Sequence, residues 1–192
     1  MLRWALYGLA GIAAFVVLTI VVGWSLPVAH RASATRSIAA PPEQVFAVIT
    51  DFARYPEWRT GVTRVDAAGA PKVGQLIREF GRNGEIPYRV QTLEPPRRLV
   101  MAIAGSDLPF GGTWTYDLRA NATGGTDVTI TEHGEIYTPV FRTRARFVFG
   151  YEATMNGFLT DLENRGGRSP FPQNRAVWGQ RSLGQRPYRP LS

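Results

Sequence analysis

The stretch "TDVTITEHGEIY", residues 126–137, holds the side chains best suited to chemistry. Alternate side chains of a strand point to opposite faces. Val128 and Ile130 set an apolar inward face, so Glu132 falls on that face while His133 and Glu135 turn outward. A carboxyl group buried there has a raised pKa, because desolvation penalises its charged form. Such a group can serve as a general acid or base. Pairing of Glu132 with Arg89, Arg142 or Arg144, or a place at the open end of a cavity, is the plainer expectation and is favoured. Gly134 can mark a bulge, which would swap the faces and bring His133 inward beside Glu135. Glu132 and His133 are the catalytic candidates, and their spacing alone specifies no reaction.

Other chemistries are poorly represented. The chain has no cysteine, which excludes disulfides, thiolate nucleophiles and cysteine-held zinc or iron–sulfur centres. Its two histidines are His133 and His30, the latter beside an apolar amino-terminal segment, so no metal site is expected. There is no Ser/His/Asp arrangement, phosphate-cradling loop or dinucleotide fingerprint, and no cofactor is expected; "GGT" and "TGG" read as hairpin turns.

Binding is better supported than catalysis. In "GGTWTYDL", Trp114, Tyr116 and Leu118 share one face; in "IPYRV", Ile86, Tyr88 and Val90 do; in "RLVMAI", Leu99, Met101 and Ile103 do. These faces predict an aromatic and aliphatic wall with two phenols as polar handles, suited to an apolar ligand with one or two hydrogen-bonding groups. The same faces would also serve a filled core. "DFARYPEWRTGV", residues 51–62, reads chiefly as an aromatic corner that closes one end of the sheet, with Trp58 at the mouth of a pocket. No basic stripe accompanies these rings, so no specific nucleic-acid partner is expected. The ligand-binding set is Trp58, Tyr88, Met101, Trp114, Tyr116 and Glu132.

The elements that must position these residues follow from pattern. "TRSIAA", residues 35–40, reads as a strand, and "PPEQVFAVITDFARY" as a helix with proline at its start and Glu43 in its first turn. Six short runs with Gly, Pro and Asn between them then read as antiparallel strands. From Pro139, the residues Phe141, Val148, Tyr151, Met155, Phe158 and Leu162 predict one long helix stopped at "NRGG". The fold class is α+β: a curved antiparallel sheet of about seven strands wrapped on a long carboxy-terminal helix. "APPEQVFAVITDFARYPEW", "GGTWTYDL" and "TDVTITEHGEI" together resemble the START-like (SRPBCC) helix-grip superfamily, particularly its bacterial polyketide cyclase/dehydrase-like members. The resemblance covers residues 34–165. It implies a cavity for hydrophobic or amphipathic small molecules and, in some members, cyclisation or dehydration.

Residues 1–33 and 166–192 lie outside it. Trp4–Leu26 carries no charge and includes eleven Leu, Ile, Phe or Val residues. As a helix it reaches roughly 35 Å, enough for the ~30 Å hydrocarbon core. It predicts a single-pass anchor with Trp4, Tyr7 and Trp24 near the headgroups. "ASA" at 32–34 resembles a processing site, but a signal core usually spans about 7–15 residues. The net charge of +7 is concentrated: Arg168, Arg175, Arg181, Arg186 and Arg189 lie in an acid-free tail, leaving +2 for residues 1–165. That Pro/Arg-rich tail reads as disordered, with anionic lipid as its expected contact. Twenty-one arginines against one lysine suggest a GC-rich, bacterial genome. The leading expectation is a module in a bacterial inner membrane that binds or carries a lipid, isoprenoid or polyketide-like molecule. The alternatives are a cyclase or dehydratase using Glu132 or His133, and a non-enzymatic protein-interaction module.

Overall fold

The computed structural model describes residues 2–82 and 84–168. The basic tail from residue 169, with its expected lipid contact, lies outside the described residues. Helix α1 (Leu2–Ser25) is followed closely by strand β1 (Ala29–Ile38). Helix α2 (Pro42–Thr50), a 3-10 turn (Phe52–Arg54) and the short helix α3 (Tyr55–Trp58) lead to six strands. These are β2 (Val62–Asp66), β3 (Leu76–Gly81), β4 (Gly84–Glu94), β5 (Arg98–Ile103), β6 (Phe110–Ala120) and β7 (Thr126–Ile136). Helix α4 (Pro139–Arg144), a π turn (Ala145–Phe149) and helix α5 (Ala153–Arg168) complete the described chain. The seven strands form one antiparallel sheet in the order β1-β7-β6-β5-β4-β3-β2.

One sheet face is apolar because large residues recur at every second position, as in Leu99 and Met101 on β5 and Val128 and Ile130 on β7. Against it lie Met155, Phe158, Leu159 and Leu162 of α5, whose spacing puts them on one helical face. The aromatic corner closes this core. Tyr55 is buried and donates its hydroxyl to the Ile49 carbonyl at 2.6 Å, while its ring meets Phe52, Trp58 and Phe158 edge-on. Asp161 of α5 joins the same corner by accepting from the Thr60 amide and hydroxyl at 2.6 and 2.8 Å.

Three elements differ from the sequence-based expectation. Strand β1 begins at Ala29, ahead of Thr35, so "ASA" at 32–34 pairs along β7. Helix α2 stops at Thr50, and a 3-10 turn and α3 replace its expected end. The long final helix is broken: Gly150 adopts φ of 71°, and α5 runs on through "NRGG" to Arg168. Phe141 and Val148 consequently point outward, and the apolar packing on the sheet comes from Met155, Phe158, Leu159 and Leu162 after the break.

Candidate functional site

The inner sheet face organises the candidate residues in rows across the strands. One row runs through Ala32, Glu132, Trp114, Met101 and Val90. Nearer the end where α1 enters and α4 leaves, His30, Gly134 and Gly112 form another, and Ile103, Tyr88 and Ile77 extend it on the far strands. The first row is mostly filled. Met101 and Trp114 are buried, as is Tyr116 one row deeper, and Phe158 of α5 packs 5.2 Å from the Tyr116 ring. The second row is more open. His30, Ile103 and Tyr88 are half-buried there, while Ile77 at the far end of the row is buried.

His30 and Glu132 meet at that mouth. The imidazole Nε2 stands 3.8 Å from a Glu132 carboxylate oxygen, with side chains 10% and 17% exposed. The Cε1–Nε2 edge of the ring closes on Gly134: a Cβ added there would sit 2.3 Å from the His30 Cε1. Tyr151, just after Gly150, stacks on the ring face with centroids 4.0 Å apart. The seat therefore consists of a glycine at the ring edge, a tyrosine on its face and a carboxyl group beside it. Burial is the largest influence on both titrating groups. It raises the Glu132 pKa, against a lowering hydrogen bond donated by the Trp114 indole, and it lowers that of His30. Both shifts favour the uncharged forms, so this pair is better suited to hydrogen-bonding a neutral polar group than to acting as a strong ion pair.

A second polar group lies beside the aromatic corner. Arg59 pairs with Glu79, with side chains 15% and 14% exposed. Its guanidinium lies 4.8 Å from the Tyr55 ring centroid and 4.9 Å from that of Phe158. Tyr88 and Tyr116 point hydroxyls into the same interior, and desolvation pushes both phenols well above the ordinary tyrosine value. They remain neutral donors throughout the physiological range. On the outside of the corner, Arg54, Glu57, Trp58, Thr60, Asp161, Asn164 and Arg165 surround a polar cleft of about 280 Å³.

The sequence-derived candidates divide accordingly. Glu132 faces inward, and two of the arginines expected beside it are engaged elsewhere: Arg89 donates to the Gly74 carbonyl, and buried Arg142 donates to the carbonyls of Leu26 and Tyr137. His133 is exposed on the outer face, in register with Arg31 and Thr113. No bulge interrupts the register around Gly134. Trp58 is a core ring touching Phe158 edge-on, and only its margin reaches the outer cleft. Met101, Trp114 and Tyr116 belong to the packed interior, whereas Tyr88 stands in the mouth row. His30 and Tyr151 were missed as site residues. The alternation of His30 with Ala32 and Ala34 was the available signal. Among the described residues, no three His, Asp or Glu side chains converge to hold a metal ion.

Comparison with known proteins agrees with this architecture. Residues 29–165 match the family described as "Polyketide cyclase / dehydrase and lipid transport". Similar solved structures include a START superfamily protein from Mycobacterium smegmatis, with 16% identity and TM-score 0.58 over 72% of this chain and 98% of that one. The Zhui aromatase/cyclase from Streptomyces sp. R1128 gives 13% identity and TM-score 0.62 over 73% and 94%. A protein from Rhodobacter sphaeroides gives 27% identity and TM-score 0.55 over 72% and 92%. None of the curated proteins matches the sequence.

Proposed function

Because this chain belongs to the polyketide cyclase/dehydrase and lipid transport family, we propose that it is a membrane-anchored module that binds a largely apolar small molecule at the mouth of its sheet. The observation that carries this reading is the His30–Glu132 pair. Two titratable side chains, both disfavoured as charges by burial, sit on an otherwise apolar wall at the open end of the fold. A ligand with an apolar body and one hydroxyl or carbonyl would satisfy that pair and cover the half-buried Tyr88 and Ile103. Anchoring is supported by α1, whose apolar side chains from Trp4 to Val21 are exposed along a span of 23 residues. An exposed helix of that composition is costly in water and favourable in hydrocarbon.

Native mass spectrometry of the full chain in lipid nanodiscs tests the reading. A co-purifying small molecule is expected, with its occupancy reduced by His30→Ala and by Glu132→Ala. Uniformly empty protein from several lipid compositions would refute it. The same pair favours a second reading, acid–base catalysis of the cyclase or dehydratase type, with Glu132 as the proton donor and His30 beside it. In that case Glu132→Gln abolishes turnover of the identified ligand while leaving its binding largely intact.

A further inference from the structure

Helices α1 and α4 lie side by side outside the sheet. Helix α4 runs back along α1 in antiparallel fashion. A Cβ at Gly23 would overlap the Pro139 backbone, and the Thr143 hydroxyl donates to the Thr19 carbonyl at 2.9 Å. Thr19 and Gly23 are one turn apart on α1, as are Pro139 and Thr143 on α4. Compact residues thus face one another across the contact, the arrangement by which helices approach closely within a bilayer. Continued by one further turn, this register brings Phe147 and Val148 beside Phe15 and Val16. With Leu18, Val22 and Val140 they line a largely apolar trough of about 760 Å³, which Arg144 also borders. Phe147 and Val148 are 66% and 68% exposed.

The depth of this trough identifies what covers it. Thr19 and Phe15 precede Leu26 by seven and eleven residues, so along α1 they lie roughly 10 and 16 Å further in. Half of a hydrocarbon core is about 15 Å. The buried arginine of this segment, Arg142, turns back and donates to the Leu26 carbonyl at 2.7 Å, holding its charge where α1 leaves the apolar zone.

We propose that Pro139–Phe149 is a re-entrant element seated in the leaflet through which α1 emerges, the face formed by Val140, Phe147 and Val148 covered by lipid acyl chains and the exposed Arg144 and Arg146 reaching for the headgroups. This rests on the reading of α1 as a membrane anchor. At its end the chain turns at Gly150 into Tyr151, which roofs His30. The immersed element therefore leads directly to the ligand pair, and an apolar molecule passes from acyl chains to the mouth without crossing water.

The chain has no cysteine, so single-cysteine variants of the full-length protein report position cleanly. Phe147→Cys, Phe15→Cys and Arg119→Cys are labelled with an environment-sensitive fluorophore in phosphatidylcholine/phosphatidylglycerol vesicles containing acyl-chain spin-labelled lipid. Quenching at residue 147 comparable to that at residue 15, with none at residue 119, is expected. Quenching at 15 without quenching at 147 overturns the inference and leaves the anchor intact. Absence of quenching at both positions refutes the anchor and the inference with it. An unquenched 147 that cross-links between copies assigns the trough to a second copy of the chain and likewise overturns the inference.

Discussion

A single methyl group at Gly134 tests the geometry of the mouth. A Cβ there lies 2.3 Å from the His30 Cε1 and 2.5 Å from its Nε2. Ordinary carbon contacts need about 3.5–4.0 Å, so the ring must retreat by roughly 1.2–1.7 Å. Such a retreat disturbs the stack with the Tyr151 ring, 4.0 Å between centroids. Gly134 is outside the positive-φ region, so the substitution strains side-chain packing and not the backbone. Overpacking of this kind costs about 1–3 kcal/mol. Urea unfolding of the full chain in detergent micelles, followed by circular dichroism of the sheet, measures it. Removing the ring by His30→Ala should make room for the methyl, so the double-mutant cycle should return a coupling of about 1–3 kcal/mol. Gly157→Ala is the contrasting control. That exposed position within α5 has nothing within 4 Å of an added Cβ, so the substitution should stabilise by about 0.5–1 kcal/mol. Equal destabilisation by Gly134→Ala with and without His30 would refute the seating of the imidazole on that glycine.

Three further outcomes are expected. Glu79→Gln leaves Arg59 buried without its ionic partner and should cost about 3–5 kcal/mol in the same unfolding measurement, whereas the Arg59→Met/Glu79→Leu double variant should recover most of that loss. Burial raises Glu132 above the ordinary glutamate value of 4.5, so the native state holds this proton more tightly than the unfolded chain does. Its contribution is full below 4.5 and declines as pH rises through the raised native value; Glu132→Gln should flatten that decline in urea midpoints measured across the interval. His30 has the opposite sign: its pKa is lowered from 6.5, so stability falls as pH drops below 6.5, and His30→Gln removes that fall.

The sheet was legible because its signal is periodic. Val128 and Ile130 fix the inner face of β7, and the same parity carries Glu132 inward without any knowledge of its partners. Strand β1 was less legible because Ala32 and Ala34 occupy its inward positions. These side chains are small where α5 lies over β1, and alanine gives little hydrophobic period. His30 was hidden for the same reason, since its strand was not recognised at that end. The break at Gly150 was obscured by apolar residues on both sides: Phe141 and Val148 fit the spacing of Met155 and Phe158 but serve a different surface. Arginine pairing for Glu132 was expected from charge alone, whereas Arg142 is committed to backbone carbonyls across the chain.

The joint between α1 and β1 spans only Leu26–Val28. It is fastened at both ends, by Arg142 on the Leu26 carbonyl and by the Ile136 amide on that of Val28. Even fully extended, three residues reach only about 11 Å. With α1 in a bilayer, the domain would be a fixture of one sheet of lipid and not a ferry between two. Its encounters would be with neighbours diffusing in the same plane, and any handover of cargo to a distant acceptor would require that acceptor to come to it.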